Sequence, residues 1–425
     1  MRTRPGPVVL ALVALVAAGC SAGSKAPAPG RLAAPATTTA PAGAAAQAPN
    51  SPGAQRAGFE QLLGRQTLLQ VRLMRAVVFG APDLRRATQV AADQNAAELA
   101  TLVAATYDQA AGTSFDGQNR RTLADLVAYA DAVGRGDGKG GGPAGQARTA
   151  LMADARAYGA WLAGASHGRA KAPAAEAAMR AQLERLTGQA DAYAARDYGR
   201  SYELEREAFE QAYAGGAGLA TAGRAADAAG TDTPTERLRS AFAQLLGEHM
   251  ELVIDAQRAT FAGAAEFKAA AAQVNHNSQA IGAAVGTLAG PAKGEEFSAG
   301  WADHVDKLMA YTAAVAKRDP NAQAAAETQL DRFATTLARF FHGLVGDQLA
   351  LGSLLGVLTL HDRHLTDHVD AYAARDFTSA TAIEREGYAH IHGVADSLVG
   401  ALGRSMRPGL PVGAAQTGGG GLAGR

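Results

Sequence analysis

The sequence predicts an all-α protein built as two tandem up-down antiparallel helical bundle units of about six helices each, and three observations carry that expectation. Long segments rich in alanine, leucine, arginine and glutamate favour helix, and the β-branched runs that would mark strands are missing. Within those segments apolar residues recur at three-four spacing, the signature of one buried helical face. The second half also repeats the first. Asp191-Ala-Tyr-Ala-Ala-Arg-Asp197 recurs letter for letter as Asp370-Ala-Tyr-Ala-Ala-Arg-Asp376, Glu205-Arg206-Glu207 recurs as Glu384-Arg385-Glu386, and Phe115 to Tyr129 aligns without gaps on Phe297 to Tyr311. Such self-similarity means two copies of one helical unit.

The chain opens on Arg2 and Arg4, followed by an apolar run from Val8 to Val16 and then Ala17, Ala18, Gly19 and Cys20. The run is well short of the ~20 residues a membrane-spanning helix needs, so residues 1–19 read as a secretory signal. Small residues immediately before a cysteine resemble the lipobox of bacterial lipoproteins. That resemblance implies cleavage before Cys20, diacylglycerol on its sulfur, and an exported protein anchored to the cell membrane or envelope by two or three acyl chains. Cys20 is the only cysteine among the 425 residues, so no disulfide within the chain is possible and the fold rests on its packed core. Residues 20–57 are mostly Ala, Pro, Gly, Ser and Thr, which reads as a flexible tether. Residues 405–425 have the same character, with Gly418 to Gly421 in a row, and read as a tail. Lys and Arg together number 40, as do Asp and Glu, and no basic run is present; nucleic acid is therefore not expected as a partner, and no protein partner is indicated.

Punctuation by Gly, Pro and Asp divides the first unit, residues 58–224, into helices at about 59–79, 83–107, 115–135, 143–163, 174–195 and 198–222. A linker at 225–234 leads to the second unit, 235–404, with helices at about 235–261, 264–288, 295–317, 321–345, 349–374 and 378–402. Short connections make neighbours antiparallel. The shared heptapeptide reads as a tight hairpin, with Asp197 and Asp376 capping the sixth helix of each unit and the preceding arginine suiting a helix C-terminus.

The sharpest feature is a set of histidines on the apolar stripes of four helices in the second unit: His249, His304, His368 and His390. The first unit has Gln66, Thr122, Gln189 and Gln211 at the corresponding places. Asn277 lies on the stripe of its own helix, and Glu386 stands one turn before His390, where it suits support of a ligating ring. Counting ~1.5 Å per residue along alternating helices brings His249, Asn277, His304 and His390 within one to two turns of one another. His368 comes out higher, and His364 or His361 more nearly level.

Three readings stay open: a buried hydrogen-bonded layer in a structural or protein-binding scaffold, a transition-metal site for copper or zinc, and a b-type haem or small-ligand pocket. His276 and His342 read as solvated, and His392 points away from His390. No Cys-x-x-Cys-His, paired Glu-x-x-His, phosphate loop, Gly-x-Ser-x-Gly or His-Glu-x-x-His occurs, so an enzyme is not expected.

At Leu246-Gly247-Glu248-His249, Trp301-Ala302-Asp303-His304, His368-Val369-Asp370-Ala371-Tyr372 and Glu386-Gly387-Tyr388-Ala389-His390 the chain resembles a group of exported bacterial helical-repeat proteins. Some of that group carry a domain similar to the N-terminal domain of copper amine oxidases. This chain lacks that domain, so the resemblance implies the histidine positions and not the copper association.

Overall fold

A computed structural model describes residues 51–137, 141–223 and 232–405. The leader, Cys20, most of the tether, most of the linker and nearly all of the tail lie outside the described residues. Twelve α-helices and one 3-10 turn, with no strand, make up the regular structure of the described part. In the first copy they are α1 (Pro52–Val78), α2 (Pro82–Thr106), α3 (Gln109–Gly134), α4 (Pro143–Ala165), α5 (Ala172–Ala194) and α6 (Tyr198–Gly223). In the second they are α7 (Pro234–Ala262), α8 (Ala264–Ala289), α9 (Pro291–Lys317), α10 (Pro320–Val345), α11 (Leu351–Ala373) and α12 (Phe377–Ser405). No described helix is long and apolar enough to cross a membrane.

Helix starts follow from capping chemistry. Proline opens α1, α2, α4, α7, α9 and α10, where its missing N–H costs nothing. Ser51, Asp108, Thr233 and Asp319 accept from backbone amides of the first turn at 2.7–3.1 Å. The Ser51-Pro52 start corrects the tether expected to reach residue 57. The helix begins seven residues before the expected Phe59, because a Ser-Pro pair caps it and Gln55 and Arg56 find buried places despite their polarity.

The repeated heptapeptide is a hairpin held at both ends. Asp197 accepts from Arg200 N at 3.2 Å and Asp376 from Ser379 N at 3.1 Å. Asp191 and Asp370 each accept a tyrosine hydroxyl from the third helix of their copy, Tyr129 at 2.7 Å and Tyr311 at 2.9 Å. The arginines do more than complement a dipole. Arg196 and Arg375 take the left-handed turn, at φ 61° and 62°, a conformation that favours glycine.

The two copies share one body and pack on each other reciprocally: α6 meets α8 of the other copy, and α12 meets α2. Corresponding residues therefore face one another, the pattern of a two-fold interface. Arg72 corresponds to Asp255, and they stand 3.5 Å apart. Tyr213 corresponds to His392; the histidine donates from Nδ1 to Tyr388 O at 2.8 Å, which leaves Nε2 to accept the Tyr213 hydroxyl. Gly64 and Gly247, also a pair, sit where a Cβ would fall 2.5 Å from Tyr388 Oη and 2.8 Å from His392 Cε1.

A buried charge network closes this interface. Arg72 bonds Glu384 and lies 2.5 Å from Glu251; Arg75 lies 2.7 Å from Glu205 and 3.3 Å from Asp255; and Arg258 bonds Glu384. Burial pushes Glu205 up to about 8 in spite of Arg75. Four carboxylates, Glu205, Glu251, Asp255 and Glu384, meet three guanidinium groups in one buried cluster. The repeated Glu-Arg-Glu motif thus supplies Glu205 and Glu384 to the same network.

Candidate metal centre

Three helices of the second copy bring imidazoles to one point. His249 from α7, His304 from α9 and His361 from α11 each offer a ring nitrogen, all within 4.8 Å of one another. Ring centroids are 6.2–6.5 Å apart, and the residues are 1 %, 1 % and 3 % exposed. Aromatic walls hold two of the rings: Trp301 packs at 4.6 Å on His249, and Phe333 stacks at 4.5 Å on His304.

Among the described residues none of the six nitrogens of these rings has a hydrogen-bond partner of normal geometry, the Asn277 side chain being the polar neighbour of His249. Burial is the main reason that His249 falls to about 3, with the Asn277 side chain opposing it. His304 and His361 lie well below the usual histidine range, first by burial and then by their histidine neighbours. All three are therefore neutral, the form that ligates. Asp362 Oδ1 stands 3.6 Å from His304 Nε2. Burial, followed by Asp331, holds that carboxyl well above the usual range.

The donor set fits a transition metal. Three neutral imidazoles are a known protein ligand set for zinc and suit copper also, and Asp362, near His304 but outside the cluster of three, would have to move in to add a carboxylate. Two nitrogens on one tetrahedral zinc are about 3.3 Å apart, given Zn–N bonds of ~2.0–2.1 Å. Ligation therefore asks the rings to draw together by somewhat more than an ångström. An apolar cavity of about 20 Å³ beside them, lined by Leu246, Phe333 and Ile391, has the room for one water. The space beside the rings is far smaller than the roughly 300 Å³ or more of sites for organic groups.

Of the four expected histidines the structure brings His249 and His304 together and places His368 and His390 apart from them. His368 follows His361 by seven residues, about 10 Å along α11. It accepts from Arg258 Nη2 at 3.3 Å beside the charge network, away from the triad. His390 is half-buried and donates to Val357 O at 2.8 Å, 5.4 Å between centroids from the half-buried His364. Its neighbour Ile391 is the α12 residue that reaches the cavity beside the triad, together with Val394 and Leu398. Consecutive helical residues diverge by about 100°, which explains why His390 misses. Glu386 is exposed and holds no ring of the triad.

Asn277 is buried next to the site, donating to Leu245 O at 3.0 Å and Glu248 Oε2 at 2.8 Å. His276 is exposed, and half-buried His342 bonds Leu349 O at 3.0 Å. His392 is buried at the interface between the copies. Asp362 was missed at the level of sequence because it stands next to His361 and not on its stripe.

No known protein family, curated protein or solved structure matches this chain.

Proposed function

We propose that this chain is a lipid-anchored protein of the cell envelope that binds one transition-metal ion through His249, His304 and His361, with Asp362 as the fourth ligand. The observation that carries the metal reading is the set of six buried, unpartnered nitrogens on three converging rings. A buried imidazole left without partners costs about 1–3 kcal/mol per group. A cation converts that cost into ligation. The ion would also draw the proton from Asp362, so that the carboxylate supplies the negative charge a buried dication needs. With room for about one water, the site suits holding an ion more than turning over a substrate. The anchor rests on the pattern from Arg2 to Cys20.

The test is metal analysis of protein purified without an affinity tag, after dialysis against zinc or copper(II). We expect one ion per chain, lost in the double variant His249→Ala/His361→Ala and kept in His390→Ala. A wild type that takes up no ion supports the second reading, a scaffold whose histidines form a structural layer. Mass analysis of the membrane-extracted N-terminal peptide tests the lipid, which Cys20→Ser should remove.

A further inference from the structure

The first copy holds at its centre a different kind of site. A cavity of about 440 Å³ opens between α1, α3, α4, α5 and α6. Three of its lining residues, Gln66, Thr122 and Gln182, hold the places that His249, His304 and His361 hold in the second copy, at the spacings set by the aligned helices. The same alignment puts Asn119 where the second copy has Trp301. Larger rings at these places account for the contrast between about 20 Å³ beside the metal site and about 440 Å³ here. The equivalence is also structural. Asn95 donates to Leu62 O and to Gln66 Oε1, as Asn277 donates to Leu245 O and to Glu248.

The polar groups of the cavity are aimed and unspent. Gln66 is 4 % exposed; its Oε1 accepts from Asn95 at 2.7 Å, and its Nε2 has no partner. Gln182 donates through Nε2 to Thr67 Oγ1 at 3.0 Å, and its Oε1 has none. Gln118 Oε1 and Asn119 Nδ2 are likewise unpartnered. Donors and acceptors therefore stand together in a space whose walls are otherwise largely apolar, Phe115 and Leu186 among them. The charged residues on the lining are Asp154 and Lys171. Asp154 accepts from Thr122 at 3.0 Å, and Lys171 donates to Gly168 O at 3.0 Å. Lys171 is exposed at the rim and Asp154 stands behind the Thr122 hydroxyl, so the groups left unpartnered inside the cavity are the neutral amides of Gln66, Gln118, Asn119 and Gln182.

We infer that the first copy binds an uncharged organic molecule with an apolar body and a carboxamide-like end. Its carbonyl accepts from Gln66 Nε2 or Asn119 Nδ2, and its N–H donates to Gln182 or Gln118. The volume lies within the ~300–1,000 Å³ of sites for small organic ligands. This reading does not rest on the metal site.

The test uses the full chain and three probes of one shape: 2-naphthamide, 2-naphthoate and 2-naphthylmethylammonium, followed by saturation-transfer NMR and by titration of naphthalene fluorescence. We expect the amide to bind at least about tenfold more tightly than either ion, the worth of one good polar contact. Gln66→Leu and Gln182→Leu each weaken it by about tenfold, and Asn119→Trp, which fills the space, abolishes it. Absence of amide binding to the wild type overturns the proposal, and so does equal binding of all three probes. If Asn119→Trp fails to fold, unchanged affinity in both glutamine variants overturns it alone.

Discussion

Replacing His249 by leucine in the metal-free protein is expected to stabilise it. In wild type, burial at 1 % exposure leaves one ring N–H and one ring lone pair unsatisfied. Each such group costs about 1–3 kcal/mol. Leucine is close to histidine in volume, and repacking between Trp301 and the neighbouring rings costs up to about 1.5 kcal/mol. The net expectation is a gain of about 0.5 to 6 kcal/mol, with the lower half of that range the working figure, read from urea unfolding at pH 8 after chelation, where all imidazoles are neutral in both states. Saturating zinc at a hundredfold above its dissociation constant should add about 2.7 kcal/mol to wild type and nothing to the variant. The order of stabilities then inverts when metal is added, provided the variant's gain is below that figure of about 2.7 kcal/mol. A variant that is less stable than metal-free wild type by about 2 kcal/mol, with neither protein responding to zinc, would refute the reasoning. It would mean that the ring is a satisfied part of the core.

Three further outcomes test the surrounding framework. Arg72→Met leaves Glu251, Asp255 and Glu384 without their shared guanidinium and should cost about 3–5 kcal/mol in urea unfolding; a loss under about 1 kcal/mol contradicts the network. His392 sits at about 4 through burial, against about 6.5 when unfolded, so its contribution is full above pH 6.5 and is lost as pH falls. His392→Phe should therefore remove about 2–3 kcal/mol of the stability difference between pH 7.5 and 4.5. Glu205, raised to about 8, acts with the opposite sign, losing its contribution as pH rises from about 4.5 through 8, and does so equally in both proteins. Arg375→Gly relieves the left-handed backbone at φ 62° and should raise the melting temperature, with a gain of about 0.5–1 kcal/mol; a lower melting temperature would show that its side chain matters more.

Helix number, order and antiparallel packing were legible because each helix carries its own apolar period and its own stop. The repeat was legible because identity survived at Tyr129, Tyr311 and the two heptapeptides, whose hydroxyl and carboxylate partners clamp the hairpin in both copies. The site was legible only in part. Spacing alone gives the face of a helix well and its depth poorly, so His249 and His304 were chosen correctly as neighbours while His361 was ranked behind His368, which shares its face about 10 Å away. The interface between copies was hidden. Arg72, Arg75 and Arg258 look like charges on a solvated face, and only the partner copy turns that face inward. His392 was set aside because it diverges from His390, although that divergence is what carries it to Tyr213.

The two-fold packing also explains where the copies had to differ and where they were free to. At the axis a residue meets its own counterpart. Two arginines at the positions of Arg72 and Asp255 would bury like charges against each other, at a cost of several kcal/mol per uncompensated ion. Arg72 with Asp255, and Tyr213 with His392, replace self-encounters by complementary pairs. Away from the axis each copy encloses its own space, and no counterpart constrains what fills it. Gln66, Thr122 and Gln182 in one, and His249, His304 and His361 in the other, are substitutions of that second kind. Their chemistry diverged, with the polar character retained, while the surrounding Asn95 and Asn277 kept the same backbone bond. That pattern is the one the two proposed ligands would require of a scaffold held constant. Exchanging five residues, Gln66, Asn119, Thr122, Gln182 and Leu183 for His249, Trp301, His304, His361 and Asp362 and the reverse, should accordingly transfer ligand preference between the copies, with urea unfolding of each exchanged protein showing that it folds.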